Sequence, residues 1–181
     1  LEILIKNNVG KTVSENIDIS VDFEEYINPK YSIVKFASKD SLKPNLTVKF
    51  ILNEEDEDLD DFDFVHFESE NLIFYRFPYQ WGIIDWKFKK LKRSVFSGNI
   101  DFPFFYLHNN CFLIVDDLFA ETIDFNGNKI DNISNEQPYE IKEFKEYFEF
   151  DIIGVEKRKL MKKKTTNGRF PKYIRRKFSF R

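Results

Sequence analysis

The chain has 181 residues, of which 22 are Phe, eight Tyr and two Trp, beside six Gly, one Cys and one Met. A composition that is 42% hydrophobic and 18% aromatic excludes low-complexity disorder, because burying that surface offsets the entropy of ordering, and it excludes collagen, coiled-coil and disulfide-scaffold classes as well. The net charge of −3 conceals a polarity: residues 155–181 carry seven Lys and five Arg against Glu156, or +11, which leaves −14 on the 154 residues before them.

In chain order, alternation of apolar and polar residues dominates, which is the pattern of half-buried strands. Leu1–Lys6 and Lys11–Ser14 flank Asn7-Asn8-Val9-Gly10 and predict a first hairpin, since Asn and Gly tolerate positive φ. Ile17, Ile19, Val21 and Phe23 alternate with polar residues and form the clearest strand. Tyr31–Phe36 and Leu46–Leu52 follow as β-rich runs. Beyond an acidic loop come Phe62–Phe67 and Leu72–Phe77, the latter stopped by Pro78, which cannot donate to a ladder. Trp86 and Phe88, interleaved with lysines, read as part of an edge strand. Phe102–Leu107 and Cys111–Val115 bracket a polar turn, and Leu118–Phe125 and Lys129–Ile133 bracket Asn126-Gly127, the strongest hairpin signal in the chain.

A single late helix is expected after Pro138, because Ile141, Phe144, Tyr147 and Phe148 recur at three- and four-residue spacing opposite a Glu/Lys face. The fold class is therefore mainly β: a twisted or two-layer, largely antiparallel sheet of roughly ten to twelve strands with one amphipathic helix. The length predicts one compact body. Its composition divides near Gly154, giving an acidic β-rich domain, 1–154, and a basic aromatic segment, 155–181, docked on it. A lone Cys111 forbids an intramolecular disulfide, no apolar run is long enough to span a bilayer, and the N-terminus lacks the pattern of a secretory signal. These features predict a reducing, cytoplasmic setting without a transmembrane segment.

Few catalytic constellations fit. His66 and His108 are too few for a His-rich metal site, and a Cys111–His108 dyad has no acid that the sequence identifies as its orienting partner. Gly10-Lys11-Thr12 lacks the earlier Gly of a phosphate loop, which would lie where Ile5 stands, and no helix follows it. Asp56-x-Asp58-x-Asp60 lacks the Gly and the bidentate Glu of a calcium loop, where Asp61 and Phe67 stand. The strongest enzyme pattern is Asp124 with Glu140-Ile141-Lys142, the carboxylate and Glu-x-Lys spacing of a metal-dependent nuclease. That spacing requires a strand where the periodicity predicts a helix. No cofactor or resident metal is expected.

Binding surfaces carry more signal. Glu54, Glu55, Asp56, Glu57, Asp58, Asp60, Asp61 and Asp63 place eight acids in ten positions, which attracts a basic protein surface and speeds association with it. Tyr79 and Trp81, beside Pro78 and Gly82, are the aromatics expected nearest the surface. Lys162, Lys163, Lys164, Arg169, Lys172, Arg175, Arg176 and Lys177, interleaved with Phe170, Tyr173 and Phe178, suit phosphates and unpaired bases, or an anionic membrane. A smaller basic island, Lys87, Lys89, Lys90, Lys92 and Arg93, follows Trp86. The leading expectation is a non-enzymatic protein-binding module of inhibitor or immunity type, its acidic face meeting a basic partner such as a toxin or nuclease. The alternatives are nucleic-acid binding through the C-terminal segment, and the nuclease.

Overall fold

A computed structural model describes residues 1–11, 14–22, 29–38, 45–52, 58–60, 63–77, 80–96, 103–108, 111–115, 119–134, 139–152 and 156–163. Among these residues there is no α-helix, and the fifteen strands form four sheets. The chain divides into two compact units, Leu1–Phe102 and Pro103–Arg181.

In the first unit β1 (Glu2–Lys6), β2 (Ile19–Val21), β3 (Lys30–Ala37) and β4 (Leu46–Leu52) form a sheet in the order β1-β3-β4-β2, with β2 parallel to β4 and the other pairs antiparallel. The second sheet is an antiparallel meander of β5 (Phe64–Phe67), β6 (Leu72–Phe77), β7 (Gln80–Asp85) and β8 (Lys90–Phe96). Alternate residues of both sheets point into one core, which contains Val34, Phe36, Val48 and Phe50 from the first and Phe64, Ile73, Tyr75 and Phe77 from the second. Rings meet across it edge-on: Phe36 with Phe64 at 5.4 Å, Phe50 with Tyr75 at 5.0 Å and Phe50 with Phe77 at 5.1 Å. Such T-shaped pairs set the positive ring edge against the negative face and add about 0.5–1.5 kcal/mol each beyond area burial.

The second unit holds a meander of β9 (Phe104–His108), β10 (Cys111–Val115), β11 (Phe119–Ile123) and β12 (Lys129–Ser134), and a three-stranded sheet of β13 (Tyr139–Glu143), β14 (Tyr147–Ile152) and β15 (Glu156–Met161). Leu113, Val115 and Ile133 pack against Phe148, Phe150 and Leu160. The opposite face of the three-stranded sheet is charged, with Lys157 bridging Glu149 at 3.3 Å and Asp151 at 2.9 Å.

Two expectations require correction. The late helix is the β13–β14 hairpin. Its turn closes through Lys145 and Glu146, with the Phe144 N–H donating to the Tyr147 carbonyl and the two rings stacked at 4.8 Å. Tyr139, Ile141 and Glu143 share one face, so the three- and four-residue recurrence is a coincidence of period two crossing a turn that lacks Gly or Asn. Asn7–Gly10 does not close a hairpin either, because β1 pairs with β3, Ile3 lying opposite Phe36. The change of composition near Gly154 falls between β14 and β15, which pair over six positions, with Lys157 bridging Asp151 across them. No helix among the described residues is long and apolar enough to cross a membrane.

Gly82 is demanded by packing. It lies opposite Tyr75 on β6 and Ser94 on β8, and the Tyr75 ring crosses over it to reach the Ser94 hydroxyl at 2.8 Å. A Cβ at this position would collide with the Tyr75 ring and the Arg93 carbonyl. Gly82→Ala is expected to destabilise the fold by about 1–3 kcal/mol, read as a lower urea midpoint.

Candidate functional site

The acidic segment can be followed at its C-terminal end. Leu59 is buried in the first unit's core while Asp58 and Asp60 on either side of it are exposed. Asn7 holds it there as a surrogate strand: its amide donates to the Leu59 carbonyl at 3.0 Å, and its oxygen accepts from the Leu59 N–H at 3.2 Å and the Ser32 hydroxyl at 2.8 Å. Asn8, in the left-handed region at φ 55°, donates to the Asp58 carboxylate at 2.9 Å. Asp63 in turn accepts from the Asp60 N–H at 2.8 Å. The sequence pattern does not mark Asn7, Asn8, Ser32 or Leu59 as site residues; the two Asn stand out in it only as a hairpin turn. Glu54, Glu55, Asp56, Glu57, Asp61 and Tyr79 lie outside the described residues.

Trp81 corrects the expectation of a surface aromatic. It is 1% exposed in β7, all six residues of which are buried, and the Arg93 guanidinium lies 4.9 Å from its ring centre. A strand covered on both faces leaves no outward position, and the neighbouring Gly82 lies beneath the Tyr75 ring.

The C-terminal basic set also changes. Lys162 is an interior residue, 5% exposed, with its ammonium on Glu143 and 4.3 Å from the Phe148 ring centre. It is therefore withdrawn from phosphate binding. Lys163 is exposed, and Lys164, Arg169, Lys172, Arg175, Arg176 and Lys177 lie outside the described residues.

Around Lys162 the second unit gathers its one group of close-set ionisable side chains among the described residues that includes a histidine. His108 Nδ1 is 3.2 Å from the same Glu143 oxygen, and the imidazole packs edge-on to Phe148 at 4.5 Å. Cys111 sits directly opposite His108 across the β9–β10 pair. Glu143 supplies the orienting acid that the sequence does not reveal, being distant in the chain. The thiol, however, is fully buried, and burial pushes its pKa up. A thiol so shifted is a poor source of thiolate, so the arrangement lacks an activated nucleophile.

The nuclease residues separate by role. Glu140 and Lys142 do lie on one face of a strand, as that chemistry needs, with Lys142 also 3.8 Å from Asp151. Asp124 is engaged in the Asn126-Gly127 turn, where its carboxylate accepts from the Asn126 N–H at 2.9 Å, the Asn128 N–H at 2.8 Å and the Asn128 amide at 3.0 Å. Among the described residues no three His, Cys, Asp or Glu side chains converge as metal ligands.

No protein-family model matches the chain, and no curated protein matches it.

Two tests follow from this geometry. Asn7→Ala leaves the Leu59 N–H and carbonyl without their partner and is expected to cost about 1–3 kcal/mol in urea unfolding. For His108, burial lowers the pKa from 6.5 more than Glu143 raises it, while hydrogen bonding to Lys162 lowers that of Glu143 from 4.5. Both folded-state values are depressed, so the stability they contribute is present above the ordinary values and lost as pH falls, first below 6.5 and then below 4.5. His108→Gln is expected to remove the His108 part of the first loss from the curve of melting temperature against pH; His66, also lowered by burial, retains its own part.

Proposed function

We propose that the protein is a non-enzymatic binding module of inhibitor or immunity type, whose acidic segment docks on a basic protein such as a toxin or nuclease. The observation that carries this reading is the Leu59 anchor: a buried apolar residue clamped by Asn7 between two exposed carboxylates, Asp58 and Asp60. A carboxylate row tethered to a core loses less freedom on docking than a free tail, so more of its Coulomb attraction reaches the binding free energy. The eight acids between Glu54 and Asp63 supply the field that steers a basic partner. The single, buried Cys111 suits a reducing cytoplasm.

Affinity capture from native lysate, with the chain as bait, is expected to recover a basic protein whose binding weakens with salt. Asp58→Lys with Asp60→Lys should weaken that binding by roughly tenfold or more. Equal binding by the double variant removes the acidic segment from the interface and refutes the reading.

A further inference from the structure

The basic island after Trp86 is not used by the acidic face, and the structure gives it a defined shape. Residues 86–89 connect β7 to β8 as a tight turn. Lys89 adopts a left-handed φ of 49°, the Phe88 N–H donates to Asp85 Oδ1 at 3.0 Å, and the Trp86 N–H donates to the Asn71 carbonyl at 3.1 Å. Two ion pairs brace it from the sides, Lys89 with Asp18 at 2.9 Å and Lys92 with Asp85 at 3.3 Å. Asp18 is partly buried, which raises its pKa, but the Lys89 ammonium and the Thr47 N–H outweigh that and hold it ionised below its ordinary range.

At the tip of this braced turn stands Phe88, 74% exposed and the most exposed large apolar side chain among the described residues. Lys87 extends along it with Nζ 5.7 Å from the ring centre. Lys87 and Lys90 are exposed and make no ion pair among the described residues. An exposed aromatic ring thus stands on a turn fixed by backbone hydrogen bonds and ion pairs, with cations on both sides of it along the chain.

We propose that this hairpin tip binds single-stranded nucleic acid, with one base stacked on Phe88 and the flanking phosphates met by Lys87 and Lys90. Stacking on an aromatic face needs an unpaired base, which selects single strands over duplex. The fixed turn removes most of the ordering cost that a flexible loop would incur. A bilayer fits the same charge less well. Phe88 has lysines on both sides, so inserting the ring draws ammonium groups toward hydrocarbon, and one ring supplies little apolar area for anchoring. This inference is independent of the acidic-face reading, since it uses other residues and another ligand.

The test is fluorescence anisotropy of the full chain with a labelled single strand of about 12 nucleotides, titrated across salt concentrations. Binding that weakens with salt is expected, and Phe88→Ala should weaken it by roughly tenfold while Phe88→Trp retains it. Lys87→Gln with Lys90→Gln should reduce the slope of log affinity against log salt by about 1.4, since two phosphates are then no longer neutralised. Wild-type affinity in Phe88→Ala, or equal affinity for duplex, overturns the proposal. So does binding to phosphatidylserine vesicles that requires Phe88 in the absence of binding to the oligonucleotide.

Discussion

The edge-on contact of aromatic rings between the two sheets of the first unit is the constraint on which that unit depends. Phe36, Phe50, Phe64, Tyr75 and Phe77 fill the space between facing strands, each ring presenting an edge to a neighbour's face or tilting against it. Large rings at these positions leave room for small residues only where a ring must pass, and Gly82 beneath Tyr75 is such a place. Leu59 is seated in the same core, so the position of the acidic segment is fixed by hydrophobic packing as well as by the Asn7 clamp. Anything that loosens the rings loosens the carboxylates.

Charge is handled locally. Lys35 and Lys6 meet Glu15, whose pKa is lowered chiefly by its hydrogen bond to Lys35, and Lys157 lies between Glu149 and Asp151 on the solvated face of the three-stranded sheet. Pairs this exposed contribute little to stability, but they fix which cations and anions remain available to a ligand. Lys162, paired in the interior, is withdrawn, whereas Asp58 and Lys87 stay at the surface. A count of charges along the sequence cannot make that distinction, because it depends on which strands are neighbours.

Much of the fold is nevertheless legible. The apolar runs Leu72–Phe77 and Cys111–Val115, and the Asn126-Gly127 turn, identify strands and a hairpin that the structure contains. Local signals do not state partners, however. The Asn7-Asn8 pair has the chemistry of a turn, and only the approach of residues 58 and 59, some fifty positions along, makes it a clamp. The β13–β14 turn is closed by stacked rings rather than by residues that favour positive φ, so nothing in Lys145-Glu146 announces a hairpin. Trp81 has turn formers for neighbours and so reads as a surface residue, whereas tertiary cover decides burial. For the candidate site, the acids and the basic island can be read directly. Their anchors cannot, since Leu59 and Asp18 acquire those roles through contacts with Asn7 and Lys89, residues distant in the chain.

The order β1-β3-β4-β2 has a kinetic meaning. The chain leaves β1 at one edge of the sheet, crosses to form β2 at the other, and only then supplies the β3 and β4 strands that lie between them. Neither edge strand has a partner until the centre exists, so the first sheet cannot grow by adding each new strand to the last. The other three sheets are meanders in which every strand pairs with its sequence neighbour. Loop closure over longer separations slows assembly, which makes completion of the N-terminal sheet the late event in folding. β1 and β2 are then among the last strands to find their place, and until they do they are open edges exposed to pairing with other chains.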